Sequence, residues 1–400
     1  MTPALPRLTR DLTEPEPIPA EGRARALALM ETGRLFRYGE LGADQLDASL
    51  LEDEFATFLG RKYCVAVNSC GCSLFLALKA VGVAAGDAVL VNGFTLAPVP
   101  GAIAHAGARP VIVEIGSDYL IDIDDLGHQA RVSGARVLLL SHMRGHVANL
   151  ERIATLCREL GLILIEDCAH ALCASWNGRA AGTYGAIGCF STQTYKHLNS
   201  GEGGLLVMDD DDIAARTILH SGSYMLYRQH TRRPPDHVFE RWKGAAPNFS
   251  MRMSALAAAV LRPQLATLPE RARRWNAIYT RITDGLRQLQ LVHVPRRAAA
   301  EAFSATSVQF SLPGYSPQAI GRFLEVCARQ GLNVKWFGGD DPVGFTSAPR
   351  HWTYIEDRGP LERTHSVLAG LCDIRTPVSL TDDECDTIVH IVRYALEELS

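Results

Sequence analysis

The 400-residue sequence predicts an α/β protein with a mostly parallel, seven-stranded sheet flanked by helices and a smaller C-terminal α+β domain. Two observations predict it. From about residue 63 to 208, seven short apolar β-rich runs alternate with helical patterns: YCVAV, DAVLVN, PVIVEI, ARVLLLS, LILIED, AIGCF and GGLLVM. Strands of that kind belong to sheets covered by helices on both faces. After about residue 265 the alternation gives way to a long arginine-rich helical segment, ERARRWNAIYTRITDGLRQL. A chain of this length exceeds what one core usually supports. The expected division is an N-terminal arm over 1–24, a large domain over 25–265 and a small domain over 266–400.

Taken in order, the arm MTPALPRLTRDLTEPEPIP is proline-rich, mixed in charge, and without the apolar stretch of a secretory leader. The segment NSCGCSLFLALKAVG reads as a turn that opens a helix. In NLERIATLCREL, Leu150, Ile153, Leu156, Cys157 and Leu160 recur at helical spacing, Asn149 caps the start and Gly161 ends it before LILIED. The link from AIGCF to GGLLVM is too short and glycine-rich for a crossover helix. Those strands are therefore expected to run antiparallel, with Lys196 on the loop between them. A final helix is announced by the capping box Thr381-x-x-Glu384.

Composition narrows the class. A net charge of −4 advertises neither a nucleic-acid nor a membrane partner. No run of eighteen apolar residues occurs. The ten cysteines sit mostly in apolar segments, as reduced thiols do in the cytoplasm, which is the expected compartment.

The chemistry gathers around one lysine. Although the chain has forty Lys+Arg, only five are lysines, and Lys196 stands in YKHLNSGEGG between an aromatic residue and a histidine. Asp167, in LILIEDCAHA, lies at the C-terminal end of a buried strand, where open α/β sheets place their ligands. Taken alone, Asp167 is equally a helix cap or an arginine's partner, and a lone lysine is a surface residue. Together they are the two groups that a pyridoxal phosphate site requires, one paired with the ring nitrogen and one forming the Schiff base. Aspartate keeps that nitrogen protonated. Only lysine can hold the aldehyde and then act as a base, because arginine stays protonated. The cofactor's phosphate needs donors, which the Ser191 hydroxyl and the helix-start N–H groups of Cys70 and Gly71 supply.

These segments resemble the DegT/DnrJ/StrS-type sugar aminotransferases, fold-type-I enzymes that use pyridoxal 5′-phosphate. The likeness runs in order over roughly residues 50 to 265, and EDCAHA followed by FSTQTYKHLNSGEGG is its most specific part. It implies that Lys196 bonds the cofactor, that Asp167 meets the ring nitrogen, that His170 lies beside the ring hydroxyl and that Ser191 binds phosphate. It also implies a homodimer with shared sites, in which Asn248 or Arg252 of PNFSMRMS reaches the neighbour's phosphate. Three positions depart from the family's pattern. Ser69-Cys70-Gly71 replaces a serine-glycine-threonine turn. Leu96 stands where an aromatic ring usually covers the cofactor, so either Phe94 swings in or an aliphatic chain does the covering. Arg144 in LSHMRGH puts a cation near the site.

The expected activity is transamination in two halves, from glutamate or glutamine to a keto sugar, cyclitol or related ketone in secondary-metabolite or cell-surface biosynthesis. Arg144 and Arg350 are candidate substrate contacts, for an acceptor carrying a carboxylate or phosphate or for a nucleotide sugar. The alternatives are a non-catalytic, cofactor-binding regulatory protein and an enzyme of another reaction type, such as a dehydratase, on the same fold. No metal is expected, since Cys70-x-Cys72 and His142-x-x-x-His146 have weak zinc spacing. SGEGG leads into a strand and not a helix, against a dinucleotide site.

Overall fold

A computed structural model describes residues 6–399, so the first five residues of the expected arm and Ser400 lie outside it. The seven runs form one sheet: β1 (Tyr63–Val67), β2 (Ala88–Asn92), β3 (Arg109–Val113), β4 (Val137–Ser141), β5 (Ile163–Asp167), β6 (Ile187–Ser191) and β7 (Gly204–Met208). Their order across the sheet is β1-β7-β6-β5-β4-β2-β3. The pairs β2/β3, β2/β4, β4/β5 and β5/β6 are parallel. Strand β7 runs against both of its neighbours, as the short loop from AIGCF to GGLLVM requires.

Why these runs are apolar throughout follows from alternation. On one face Cys64, Ala66, Leu138, Leu140, Leu205 and Val207 enter one core. On the other, Val65, Val67, Val137, Leu139, Leu206 and Met208 enter a second. With period 2 and both faces buried, every position must be apolar. The helix Leu150–Leu160 ends as its sequence dictates, with Asn149 Oδ1 accepting from the Arg152 amide at 3.0 Å and Gly161 left-handed at φ 67°. Thr381 and Glu384 form the reciprocal cap of the helix Asp382–Glu397.

The C-terminal part is built on a small antiparallel sheet, β8 (Ser307–Ser311), β9 (Lys335–Trp336) and β10 (Leu371–Arg375), with β10 in the middle. Leu8 and Leu12 of the arm are buried in the core of this part. The arginine-rich helix begins earlier than the change of pattern near residue 265. Ser254 caps it, and it runs unbroken from Ala255 to Leu286 through Pro263 and Pro269. Its Leu261, Leu265 and Leu268 pack on the large sheet's core, and its Ile278, Ile282 and Leu286 on the small sheet's.

Candidate active site

The C-terminal ends of the parallel strands carry a buried polar layer. Asp167 closes β5, and its Oδ2 accepts from the Ser141 hydroxyl at 2.7 Å while Oδ1 accepts from the Ala169 amide at 3.1 Å. Ser141 closes β4 and is held in turn by Asn92 at the end of β2, whose Oδ1 accepts from the Ser141 amide at 2.8 Å. Ser141 and Asp167 are register partners on β4 and β5, so the position of the carboxylate is set by the sheet.

Lys196 reaches this layer from the β6–β7 loop. Its Nζ donates to Nε2 of His170 at 2.5 Å. Burial, then the positive charge of Arg144, pushes the Lys196 amine down to about 7 from its ordinary 10.5, against the pull of Asp167. Burial also holds the His170 imidazole well below its usual range, helped by the charges of Lys196 and Arg144. A neutral ring with a free Nε2 is the acceptor that Lys196 needs.

The loop is pinned at several points. The buried His197 ring bonds the Ser304 hydroxyl at 2.9 Å, Arg271 Nη1 donates to the His197 carbonyl at 3.0 Å, and the Gln264 amide group brackets Asn199 at 2.7 and 2.9 Å. Gly201, at φ 80°, makes the turn. Gly203 and Gly204 serve close approach instead of a sharp bend: a Cβ on Gly204 would lie 2.4 Å from the Ser69 carbonyl oxygen.

That carbonyl belongs to the residue that caps the helix Cys70–Ala80, with Ser69 Oγ accepting from the Cys72 amide at 3.1 Å. The first N–H groups of a helix have no acceptor within it. A Cβ on Gly71 would meet only Ser69 Oγ within 4 Å, at 3.8 Å, so the space above this helix start is open. The Cys70 thiol lies close enough to Asp167 and Lys196 to feel both charges. Ser191 ends β6, and its Oγ accepts from the Gln193 amide at 3.3 Å. Three residues beyond the end of β2, the buried Thr95 hydroxyl has no hydrogen-bond partner.

Asp167, His170, Lys196, Cys70 and Arg144 are therefore brought together, with Gly71 on the adjoining helix start and Ser191 at the end of β6, and the other candidates stand as follows. Phe94 is buried among Tyr119 and Phe337, with ring centroids 6.2 and 5.3 Å away, and Leu96 is partly exposed beside that cluster. Arg350 donates to the carbonyls of Gly339 and Phe337. Asn248 is exposed and caps Ser250, at 3.0 Å from its amide. Arg252 donates to the Gly222 carbonyl at 2.8 Å and lies over the Phe36 and Tyr224 rings. It also lines a cavity of about 420 Å³ with Asn68, Ser200 and Glu202.

Three residues of consequence carry weaker sequence signals. Glu166, beside Asp167, accepts from the amides of Gly182, Tyr184 and Gly185 at 2.7–2.9 Å and contacts His142 Nε2 at 3.1 Å. Those contacts occupy both oxygens, although His142, Glu166 and Cys168 have ligand atoms within 4.8 Å of one another. His146 turns away to Gln309 Oε1 at 2.9 Å. The other two are Asp373, a lone acid in the apolar strand LCDIR, and Lys335, its register partner on β9. Asp373 Oδ2 lies 3.4 Å from both Lys335 Nζ and Arg144 Nη2, and Gln309 Nε2 donates to Oδ1 at 2.7 Å. Those charges and hydrogen bonds overcome burial, which alone would raise it, and hold the Asp373 carboxyl below its usual range.

Residues 29–393 match the model of the DegT/DnrJ/EryC1/StrS aminotransferase family. The chain is 32% identical over 60% of its length to the spore coat polysaccharide biosynthesis protein SpsC of Bacillus subtilis, covering 61% of that protein. It is 32% identical over 68% of its length to the L-glutamine:scyllo-inosose aminotransferase of Streptomyces griseus, covering 60% of it. The matched segments thus span about three fifths of each relative's length. The crystal structure of an aminotransferase TlmJ from Streptoalloteichus hindustanus superposes with a TM-score of 0.81 over 96% of this chain and 98% of that one. At 24% identity, that likeness speaks for the fold.

Proposed function

The chain belongs to the DegT/DnrJ/EryC1/StrS aminotransferase family, and we propose on that premise that it moves an amino group from glutamate or glutamine to a keto sugar, cyclitol or related ketone. Pyridoxal 5′-phosphate is the cofactor in this reading. The observation that carries it is the convergence of Lys196, His170 and Asp167 at the ends of β5 and β6, beside an open helix start.

The residues fit the cofactor. Lys196 would take its aldehyde, Asp167 its ring nitrogen and His170 its ring hydroxyl. Ser191 and the amides of Cys70 and Gly71 would take its phosphate, where open space lies over Gly71. The unpaired Thr95 hydroxyl supports a polar guest at the same strand ends. With Phe94 committed to packing, Leu96 is the side chain left to cover the ring. When bound, the cofactor supplies an electron-withdrawing ring that stabilises negative charge on the donor's α-carbon.

The chain's own residues do the rest. Asp167, fixed by Ser141 and Ala169, holds a negative charge where a protonated nitrogen must be stabilised. Lys196 Nζ, brought down to about 7, can both accept and return a proton near neutral pH. His170 orients that amine without competing for its proton, because the ring stays neutral. The half-exposed Phe36 and Tyr224 beside Arg252, with the exposed Met225 next in sequence to Tyr224, support a homodimer in which this face, with Asn248 and Arg252, meets the neighbour's site. Ten free cysteines support a reducing compartment such as the cytoplasm. No helix among the described residues is long and apolar enough to cross a membrane.

The test is the visible absorption of the protein with added pyridoxal phosphate. A band that changes on adding glutamate or glutamine, and that Lys196→Ala abolishes, is expected. A band indifferent to both donors would replace this reading with the non-catalytic one, and the absence of a band would overturn both.

A further inference from the structure

We infer that Arg144, with Lys335 beside it, forms a carboxylate-binding subsite next to Lys196, and that one of the two transamination substrates carries the carboxylate. This rests on the aminotransferase reading of Lys196 and goes beyond it by assigning residues of both sheets to substrate recognition.

Arg144 is an unusual cation. It sits in the loop after β4 in a left-handed conformation, φ 56° and ψ 24°. A non-glycine residue pays about 1 kcal/mol or more for that conformation. Its side chain is buried, yet Nε and Nη2 have no hydrogen-bond partner. Those two nitrogens form one edge of the guanidinium, the edge that receives both oxygens of a carboxylate in parallel. Buried donors left unpaired are costly, and a ligand that pairs them recovers the cost.

Asp373 does not fill that role. Its Oδ2 stands 3.4 Å from Arg144 Nη2 and is shared with Lys335 Nζ at the same distance. Its Oδ1 is held by Gln309 Nε2 at 2.7 Å. It is tethered on its far side and touches the fork with one oxygen only. Two cations against one buried carboxylate also leave one positive charge over, which a single carboxylate neutralises. Arg375, whose guanidinium lies 3.7 Å from the centre of the Tyr195 ring, adds further positive charge, felt by both Lys335 and Lys196. The excess charge is felt at the reacting amine: Arg144 follows burial as the second cause that lowers Lys196. An amino-acid donor carries a carboxylate one bond from the carbon that bears its amine, and an acidic acceptor carries one on its own frame. The subsite serves either chemistry.

The experiment titrates glutarate, a dicarboxylate without an amine, into the cofactor-loaded protein by calorimetry, alongside Arg144→Ala, Arg144→Lys and Asp373→Asn. Wild type is expected to bind, Arg144→Ala to bind at least tenfold more weakly, Arg144→Lys to keep part of the affinity, and Asp373→Asn to bind more tightly because a competing negative charge is gone. The absorbance change on adding glutamate then separates the two sources. If Arg144→Ala raises the glutamate concentration needed for half-saturation tenfold or more, the carboxylate is the donor's. If glutarate binding falls and glutamate saturation does not move, it is the acceptor's. Glutarate binding that is absent in wild type, or unaffected by Arg144→Ala, overturns the subsite. Should Arg144→Ala fail to fold, Asp373→Asn decides, and unchanged or weaker glutarate binding there overturns it. Should no visible band form, glutarate is titrated into the protein with pyridoxal phosphate added all the same. Binding through Arg144 in a protein without the band would sink the aminotransferase reading and leave the carboxylate site standing.

Discussion

Lys196 Nζ lies 2.5 Å from His170 Nε2, so the one lysine of the β6–β7 loop faces an imidazole that burial keeps uncharged. Burial, followed by the positive charge of Arg144, makes the lysine a titrating group near neutrality.

The Lys196 amine is lowered in the folded chain to about 7 from 10.5. Between those values the unfolded chain holds a proton that the folded chain does not, so stability rises with pH across that window. Below about pH 7 both states are protonated, and the folded state carries the full cost of a cation in the cleft. Cofactor-free Lys196→Met is therefore expected to be more stable than wild type below pH 7, with the gap closing toward pH 10.5. Denaturant midpoints at several pH values check this. Uptake of pyridoxal phosphate by wild type needs the neutral amine and should speed up as pH rises through about 7. A flat rate across that range would contradict the lowered amine.

Asp167 should matter more than the serine that holds it. In the aminotransferase reading, Asp167→Asn removes the charge that would face the ring nitrogen and is expected to slow the glutamate-driven absorbance change roughly a hundredfold, the scale of ~3 kcal/mol. Ser141→Ala removes one hydrogen bond to that charge, at 2.7 Å. It should cost about tenfold, near ~1.5 kcal/mol. Equal losses in the two variants would mean that the serine has a role of its own.

The two kinds of loop glycine should respond differently to alanine. Gly201→Ala strains a left-handed turn with no neighbour within 4 Å, for about 1 kcal/mol. Gly204→Ala drives a methyl group into the Ser69 carbonyl and the Ser73 hydroxyl, both 2.4 Å from the new carbon. It is expected to cost about 2 kcal/mol and, by displacing the start of the helix Cys70–Ala80, to weaken cofactor affinity as well. Urea unfolding combined with cofactor titration reads both effects, and intact affinity in Gly204→Ala would detach the helix start from the phosphate.

Away from the site, Glu52 is the buried acid on which acid stability should depend. Burial alone would raise its carboxyl, but Arg37 at 2.6 Å and His230 at 2.9 Å hold it at about 2. Its depressed value means that its contribution is complete above 4.5 and is lost as pH falls through about 2. Glu52→Gln is expected to lower stability by about 3 kcal/mol near pH 7, with a smaller difference from wild type at pH 3 and little at pH 2. Thermal melts across that range test it, and a gap independent of pH would indicate a packing effect.

Much of this was legible in the sequence because local rules and global need agree. Asn149, Gly161 and the Thr381–Glu384 box are local signals, and they end their helices where expected. The antiparallel turn of β7 follows from loop length alone. Long-range placement was less legible. Whether Phe94 covers a cofactor or fills a core depends on Phe337, far along the chain, and nothing near Phe94 encodes that residue's position. Arg350 looks like an anion contact in sequence and serves as a brace for loop carbonyls in space. Asp373 and Lys335 did leave a trace, an acid inside an apolar strand and one of only five lysines, but the trace does not say that β4's loop would bring Arg144 to them.

The helix Ala255–Leu286 ties the lysine loop to the small sheet. One rod of 32 residues, about 48 Å long by helix rise, rests its first half on the large sheet and its second on the small one. Along the way Gln264 and Arg271 grip the lysine loop. The Lys196 amine hangs from the same beam as the sheet that bears Asp373 and Lys335. In the proposed carboxylate subsite, the gap between that amine and the Arg144–Lys335 pair would be read off this one beam, as the two arms of a caliper are carried by a single bar.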